Sequence, residues 1–136
     1  MKNLFLLALI ACGSATLAAA ELDKDGVELF RKKILPVFEQ HCFECHSAKA
    51  EELKGGLRLD TREGLAKGGD TGPAVKPGDV EDSLLLRAMR YKEDDLKMPP
   101  KGRLPDKVLE DFERWVKLGA PDSREDVKGK RNANLR

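Results

Sequence analysis

The sequence predicts a small all-α domain over residues 21–121, preceded by a short leader and followed by a charged tail. Apolar side chains recur at helical spacing in three stretches, and Gly- and Pro-rich segments separate those stretches. The chain has 136 residues, 40% of them apolar and 5% aromatic, which is material for one thin core.

The leader comes first. Met1-Lys2-Asn3 is a short positive start, Leu4 to Ala11 is an unbroken apolar run, and Ala18-Ala19-Ala20 before Glu21 offers a small-residue cleavage site. These features predict a signal peptide over residues 1–20 and an exported, periplasmic protein. The apolar run is too short to span a bilayer. Leu9-Ile10-Ala11-Cys12 supplies an alternative, because it resembles a lipobox and would anchor the mature chain to a membrane through lipid on Cys12. Removing 20 of the 136 residues leaves 116. Only Lys2 of the 25 basic residues goes with them, so 24 basic side chains face 24 acidic ones. That balance, with no plainly basic face outside the tail, argues against nucleic acid as a partner.

A first helix is predicted from about Gly26 to Gln40, with Val27, Phe30, Ile34, Val37 and Phe38 on one stripe. Pro36 lacks an amide donor and crowds the preceding turn, so a kink or break is expected there. Leu57 and Leu59 alternate with polar neighbours and permit a short extended segment. Asp60 with Glu63 reads as a capping box for a short helix ended by Gly68 and Gly69. Gly68 to Gly78 lacks the Gly-Lys-Ser/Thr of a phosphate-binding loop and reads as a tight connection passing close to another surface.

Asp79 is the expected cap of the next helix, whose buried side is Leu84, Leu85, Ala88 and Met89. The last helix opens at Pro105 and Asp106 and buries Val108, Leu109, Phe112, Trp115 and Val116. Glu110–Arg114 and Glu113–Lys117 are expected i,i+4 pairs, and Gly119 and Pro121 end the helix. Residues 122–136 are charged and nearly free of apolar side chains, which predicts a flexible tail.

The chemistry is concentrated in Cys42-Phe43-Glu44-Cys45-His46, one C-x-x-C-H. With three Cys and two His in the chain, a chance match has odds of roughly one in a thousand. Two thiols at this spacing can each add across a vinyl group of one porphyrin, and the adjacent imidazole then lies under the iron. The motif therefore predicts one covalently bound haem c, with Cys42, Cys45 and His46 as cofactor-binding residues and His46 on the metal. A thioredoxin-like disulfide needs a βαβ context that is not visible. A structural zinc site needs two further ligands, and no Cys or His follows His46. A held porphyrin also supplies apolar filling that the polypeptide lacks.

His41, Met89 and Met98 are the candidates for a second axial ligand. His41 sits on backbone already pinned to the proximal side, and Met89 lies on a helix face where Met more often fills a core. Met98 precedes Pro99 and Pro100, which hold its segment extended, and it is the favoured ligand. No acid–base or nucleophile constellation stands out, so the chain is not expected to be an enzyme.

The order helix, C-x-x-C-H, loops, Met and Trp-bearing last helix resembles a class I cytochrome c. More specifically, Ile34-Leu35-Pro36-Val37-Phe38-Glu39-Gln40-His41-Cys42-Phe43-Glu44-Cys45-His46 resembles the planctomycete-type cytochrome c domain. So do Lys54-Gly55-Gly56-Leu57-Arg58-Leu59-Asp60, Gly72-Pro73-Ala74, Pro77-Gly78-Asp79 and Lys97-Met98-Pro99-Pro100. The resemblance spans roughly Leu29 to Pro121. In that family the domain usually opens a longer multidomain protein.

The resemblance implies helices packed around one haem, with N- and C-terminal helices that cross. Phe38 matches the aromatic position of the first helix. Ile34 stands where a close-approach Gly is expected, and Gly26 lies too far upstream for that role. The implied function is electron transfer by a His46/Met98-ligated monohaem protein with redox-protein partners. The alternative is a five-coordinate haem that binds small gases or peroxide, as a sensor or weak peroxidase.

Overall fold

The computed structural model describes residues 24–124. The expected signal segment, Cys12 and the tail from 125 onward lie outside the described residues.

A first helix, α1, spans 24–41, with a π-helical turn at Phe30–Ile34 leading into Leu35–His41. Helical dihedral angles continue through Leu29, Ile34 and Leu35, and the Leu35 amide donates five residues back to Phe30 O. Pro36 sits in the first turn after this widening. The irregularity expected at the proline is thus a π-turn placed just before it, which spares α1 a break. Phe30, Ile34 and Phe38 are fully buried.

Three further helices follow: α2 at Arg62–Lys67, α3 at Leu84–Arg90 and α4 at Asp106–Lys117. Among the described residues there is no strand, only isolated bridges, so the fold is all-α. None of the described helices is long and apolar enough to cross a membrane.

The core forms where α1 meets α4. Phe30 and Trp115 pack with tilted rings, centroids 5.7 Å apart, and Phe38 meets Phe112 edge-on at 5.4 Å. Such pairs add about 0.5–1.5 kcal/mol each beyond the area they bury. Leu59, Leu86 and Val116 belong to the same cluster. Gly26, set aside on sequence grounds as too far upstream, is the close-approach residue. A Cβ there would lie 2.4 Å from Pro121 Cγ and 3.4 Å from Leu118 Cβ. The helix is simply used about two turns earlier than the family pattern implies, so Ile34 can remain a buried core residue.

Several local expectations shift by one partner. The cap of α2 is Thr61, whose hydroxyl accepts from the Gly64 amide at 3.0 Å, and not Asp60. Asp60 is occupied elsewhere: it accepts from Arg58 and from the Ala48 amide. Ser83, not Asp79, precedes α3. The fully buried Ser83 hydroxyl accepts from the Lys76 amide at 3.0 Å and donates to Asp79 O at 2.6 Å, fastening the preceding loop. On α4, Glu113 pairs with Arg90 of α3 at 3.0 Å and not with Lys117. Glu110 pairs with Lys107 and not with Arg114. Glu113 is only 28% exposed and faces the neighbouring helix, where the Arg90 guanidinium is closer at hand than a solvent lysine.

The Gly68–Gly78 connection does pass close to other surfaces. A Cβ on Gly69 would lie 2.4 Å from Gly55 O, and the Gly78 amide donates to Val116 O of α4.

The ordered domain continues past Pro121. Arg124 donates to Leu59 O at 2.6 Å, sits 5.1 Å over the Phe30 ring and pairs with Asp122, which is 5% exposed. The charged segment expected to start a flexible tail at 122 is therefore packed through Arg124, because its arginine finds a carbonyl and an aromatic face.

Candidate haem-binding site

The end of α1 delivers the Cys-x-x-Cys-His segment. The amides of Cys42 and Phe43 both bond Phe38 O, and the His46 amide bonds Cys42 O at 2.9 Å, so the motif folds as a tight continuation of the helix. Ser47 is buried and its hydroxyl donates to Phe43 O at 2.6 Å. Cys42 and Cys45 are free thiols and half-buried. Burial pushes the Cys42 thiol up to about 12, which keeps it protonated at neutral pH.

The extended 57–59 segment, permitted by the alternation of Leu57 and Leu59, runs beside the motif. His46 Nδ1 lies 3.3 Å from Leu57 O, and the Leu59 amide donates to His46 O at 2.8 Å. A carbonyl can only accept, so Nδ1 carries the proton and Nε2 keeps its lone pair for a metal. This second partner of the histidine was not found from the sequence. A backbone carbonyl leaves no residue-type signal, and only the pairing of the two segments reveals it.

Met98 arrives from the other half of the domain. Its amide donates to Ala88 O of α3 at 3.1 Å, and the Met98–Pro99 peptide is cis. Three residues on, Lys101 pairs with Glu44 inside the motif at 2.5 Å, which brings the two segments to neighbouring positions. The three candidate ligands separate by environment. Met89 is 6% exposed within the core cluster, whereas Met98 is 39% exposed. His41 is the exposed last residue of α1.

These residues fit a covalently held haem. The two thiols are unpaired with each other, the imidazole is oriented through Nδ1, and the large apolar side chains left exposed among the described residues are Leu53 and Met98. Leu53 flanks the motif through the next residue, since the Lys54 amide bonds Cys45 O. Both side chains offer apolar surface near the attachment segment. The described residues contain no group of three or more His, Cys, Asp or Glu placed to share a metal ion. An open hollow of about 890 Å³ beside Cys45 is a poor match for a porphyrin ring. Its walls include Glu39, Glu44, Glu51 and Glu52, and neither His46 nor Met98 reaches it.

Residues 42–102 match the family model described as planctomycete cytochrome C. No curated protein and no solved structure matches the chain.

Proposed function

Because residues 42–102 form a planctomycete-type cytochrome c domain, we propose that the chain is an exported monohaem electron carrier whose haem is ligated by His46 and Met98. The observation that carries the reading is the contrast between its methionines: Met89 is spent in the core, and Met98 is exposed on a segment joined to the Cys-x-x-Cys-His turn. A bound haem c supplies one-electron iron chemistry. The chain's own residues do the rest. Cys42 and Cys45 tether the group, and Leu57 O holds the imidazole in the tautomer that ligates through Nε2.

If Met98 holds the iron together with His46, its thioether would favour electron transfer over catalysis and would raise the potential. Leader and motif agree on export, since haem attachment to c-type cytochromes takes place outside the bacterial cytoplasm. The partners are then other redox proteins, met in solution or, if Cys12 is lipidated, at a membrane.

The ferric absorption spectrum tests this. A weak band near ~695 nm is expected from Met-to-iron ligation. Its absence, with ready binding of carbon monoxide by the ferrous protein, favours the five-coordinate gas- or peroxide-binding reading.

A further inference from the structure

We propose that Tyr91 is the positioning residue that keeps Met98 within reach of the iron, an inference that rests on the reading of Met98 as axial ligand. Tyr91 ends α3 in a left-handed conformation, φ 62° and ψ 23°. A bulky aromatic residue adopts that conformation only where its surroundings impose it. The turn makes Ala88 O a shared acceptor: it takes the Tyr91 amide at 3.3 Å and the Met98 amide at 3.1 Å. It also turns the phenol back onto the methionine segment, where the Tyr91 hydroxyl donates to Pro99 O. That carbonyl accepts the Gly102 amide as well.

The backbone is thus fastened on both sides of the Met98 side chain, at its own amide and at the next residue's carbonyl. Ala88 and Pro99 are buried, while Met98 itself is 39% exposed. The Arg87–Glu93 pair, at 2.7 Å, closes the intervening turn. A thioether is a weak, neutral donor that external ligands can displace, so its hold depends on how little its segment must be ordered when it binds. Tyr91 meets part of that ordering cost when the chain folds.

The test is imidazole titration of the ferric, haem-loaded protein, followed through the Met-to-iron band, with amide exchange of Met98 measured alongside. Tyr91→Phe keeps the ring and removes only the hydroxyl. It is expected to bind imidazole roughly 3- to 10-fold more tightly than wild type, the range for one lost hydrogen bond, and to exchange the Met98 amide faster. Ser83→Ala is the control, because Ser83 fastens the opposite end of α3. It should lower the melting temperature and leave imidazole affinity unchanged.

Wild-type affinity in Tyr91→Phe overturns the proposal, and so does an equal gain in both variants. Should Tyr91→Phe fail to load haem, exchange in the wild type decides. Protection of the Met98 amide supports the proposal, and exchange at the rate of an exposed loop amide refutes it. A wild type without the Met-to-iron band defeats the axial-ligand reading itself, and the positioning role falls with it. A wild type with that band but an indifferent Tyr91→Phe defeats the positioning role alone.

Discussion

At the scale of single residues, the two described methionines and Asp60 carry separable roles. Met98→Ala is expected to let the ferrous protein bind carbon monoxide readily and to lower the potential, read by spectroscopy and redox titration. Met89→Ala should leave the spectrum alone and cost about 2–5 kcal/mol of stability, because it opens a cavity in the core. The reverse pattern moves the ligand to Met89. Asp60 joins the 57–59 segment to the residue after Ser47. Burial acts to raise its carboxyl, but the Arg58 guanidinium and the Ala48 amide outweigh that and hold it below the ordinary value of 3.8. A depressed folded value means stability that is present above pH 3.8 and is lost as pH falls through the folded value. Asp60→Asn should therefore cost about 0.5–1 kcal/mol at neutral pH, discounted because Arg58 is 40% exposed. The difference from wild type should close in acid. A gap in unfolding free energy that persists below that range would contradict the linkage.

At the scale of elements, periodicity located α1, α3 and α4, because each buries a stripe, such as Phe30, Ile34 and Phe38 on α1 and Phe112, Trp115 and Val116 on α4, whereas α2 buries only Leu65 and was read from its end signals. What periodicity could not choose was the partner of each polar side chain. Thr61 and Asp60 are both good caps, and the other partners of Asp60 decide between them, while Ser83 precedes α3 without capping it through its side chain. Asp60 is drawn to Arg58 and Ala48, and Ser83 is buried where Lys76 and Asp79 need a hydroxyl. Gly26 was passed over because its offset from Cys42 does not match the family spacing, and spacing is blind to a longer α1. Gly26→Ala tests the contact with the end of α4. Crowding against Pro121 costs about 1–3 kcal/mol, and the gain in helix propensity returns about 1. Net destabilisation of up to about 2 kcal/mol is expected by denaturant unfolding. A stabilised variant would mean that the two helices do not meet there.

At the scale of the whole molecule, the Cys-x-x-Cys-His segment was plain in the sequence, while the packing of Arg124 was not. The tail beyond Pro121 looks like solvated charge, yet Arg124 joins it to Leu59 and Phe30, and through Leu59 to the backbone of His46. Arg124→Ala strands the nearly buried Asp122 and should cost about 2–4 kcal/mol. Ending the chain after Pro121 should cost less, because Asp122 is removed together with its partner and only the Leu59 and Phe30 contacts of Arg124 are lost. The central claim is that this small helical domain is completed by a haem bonded to Cys42 and Cys45 after export. Mass spectrometry of the protein secreted from a cytochrome c-maturing host, under denaturing conditions, tests it most directly. The account predicts a polypeptide beginning at Glu21 that carries the mass of one haem. A chain of polypeptide mass alone, with both thiols free or joined to each other, would contradict it.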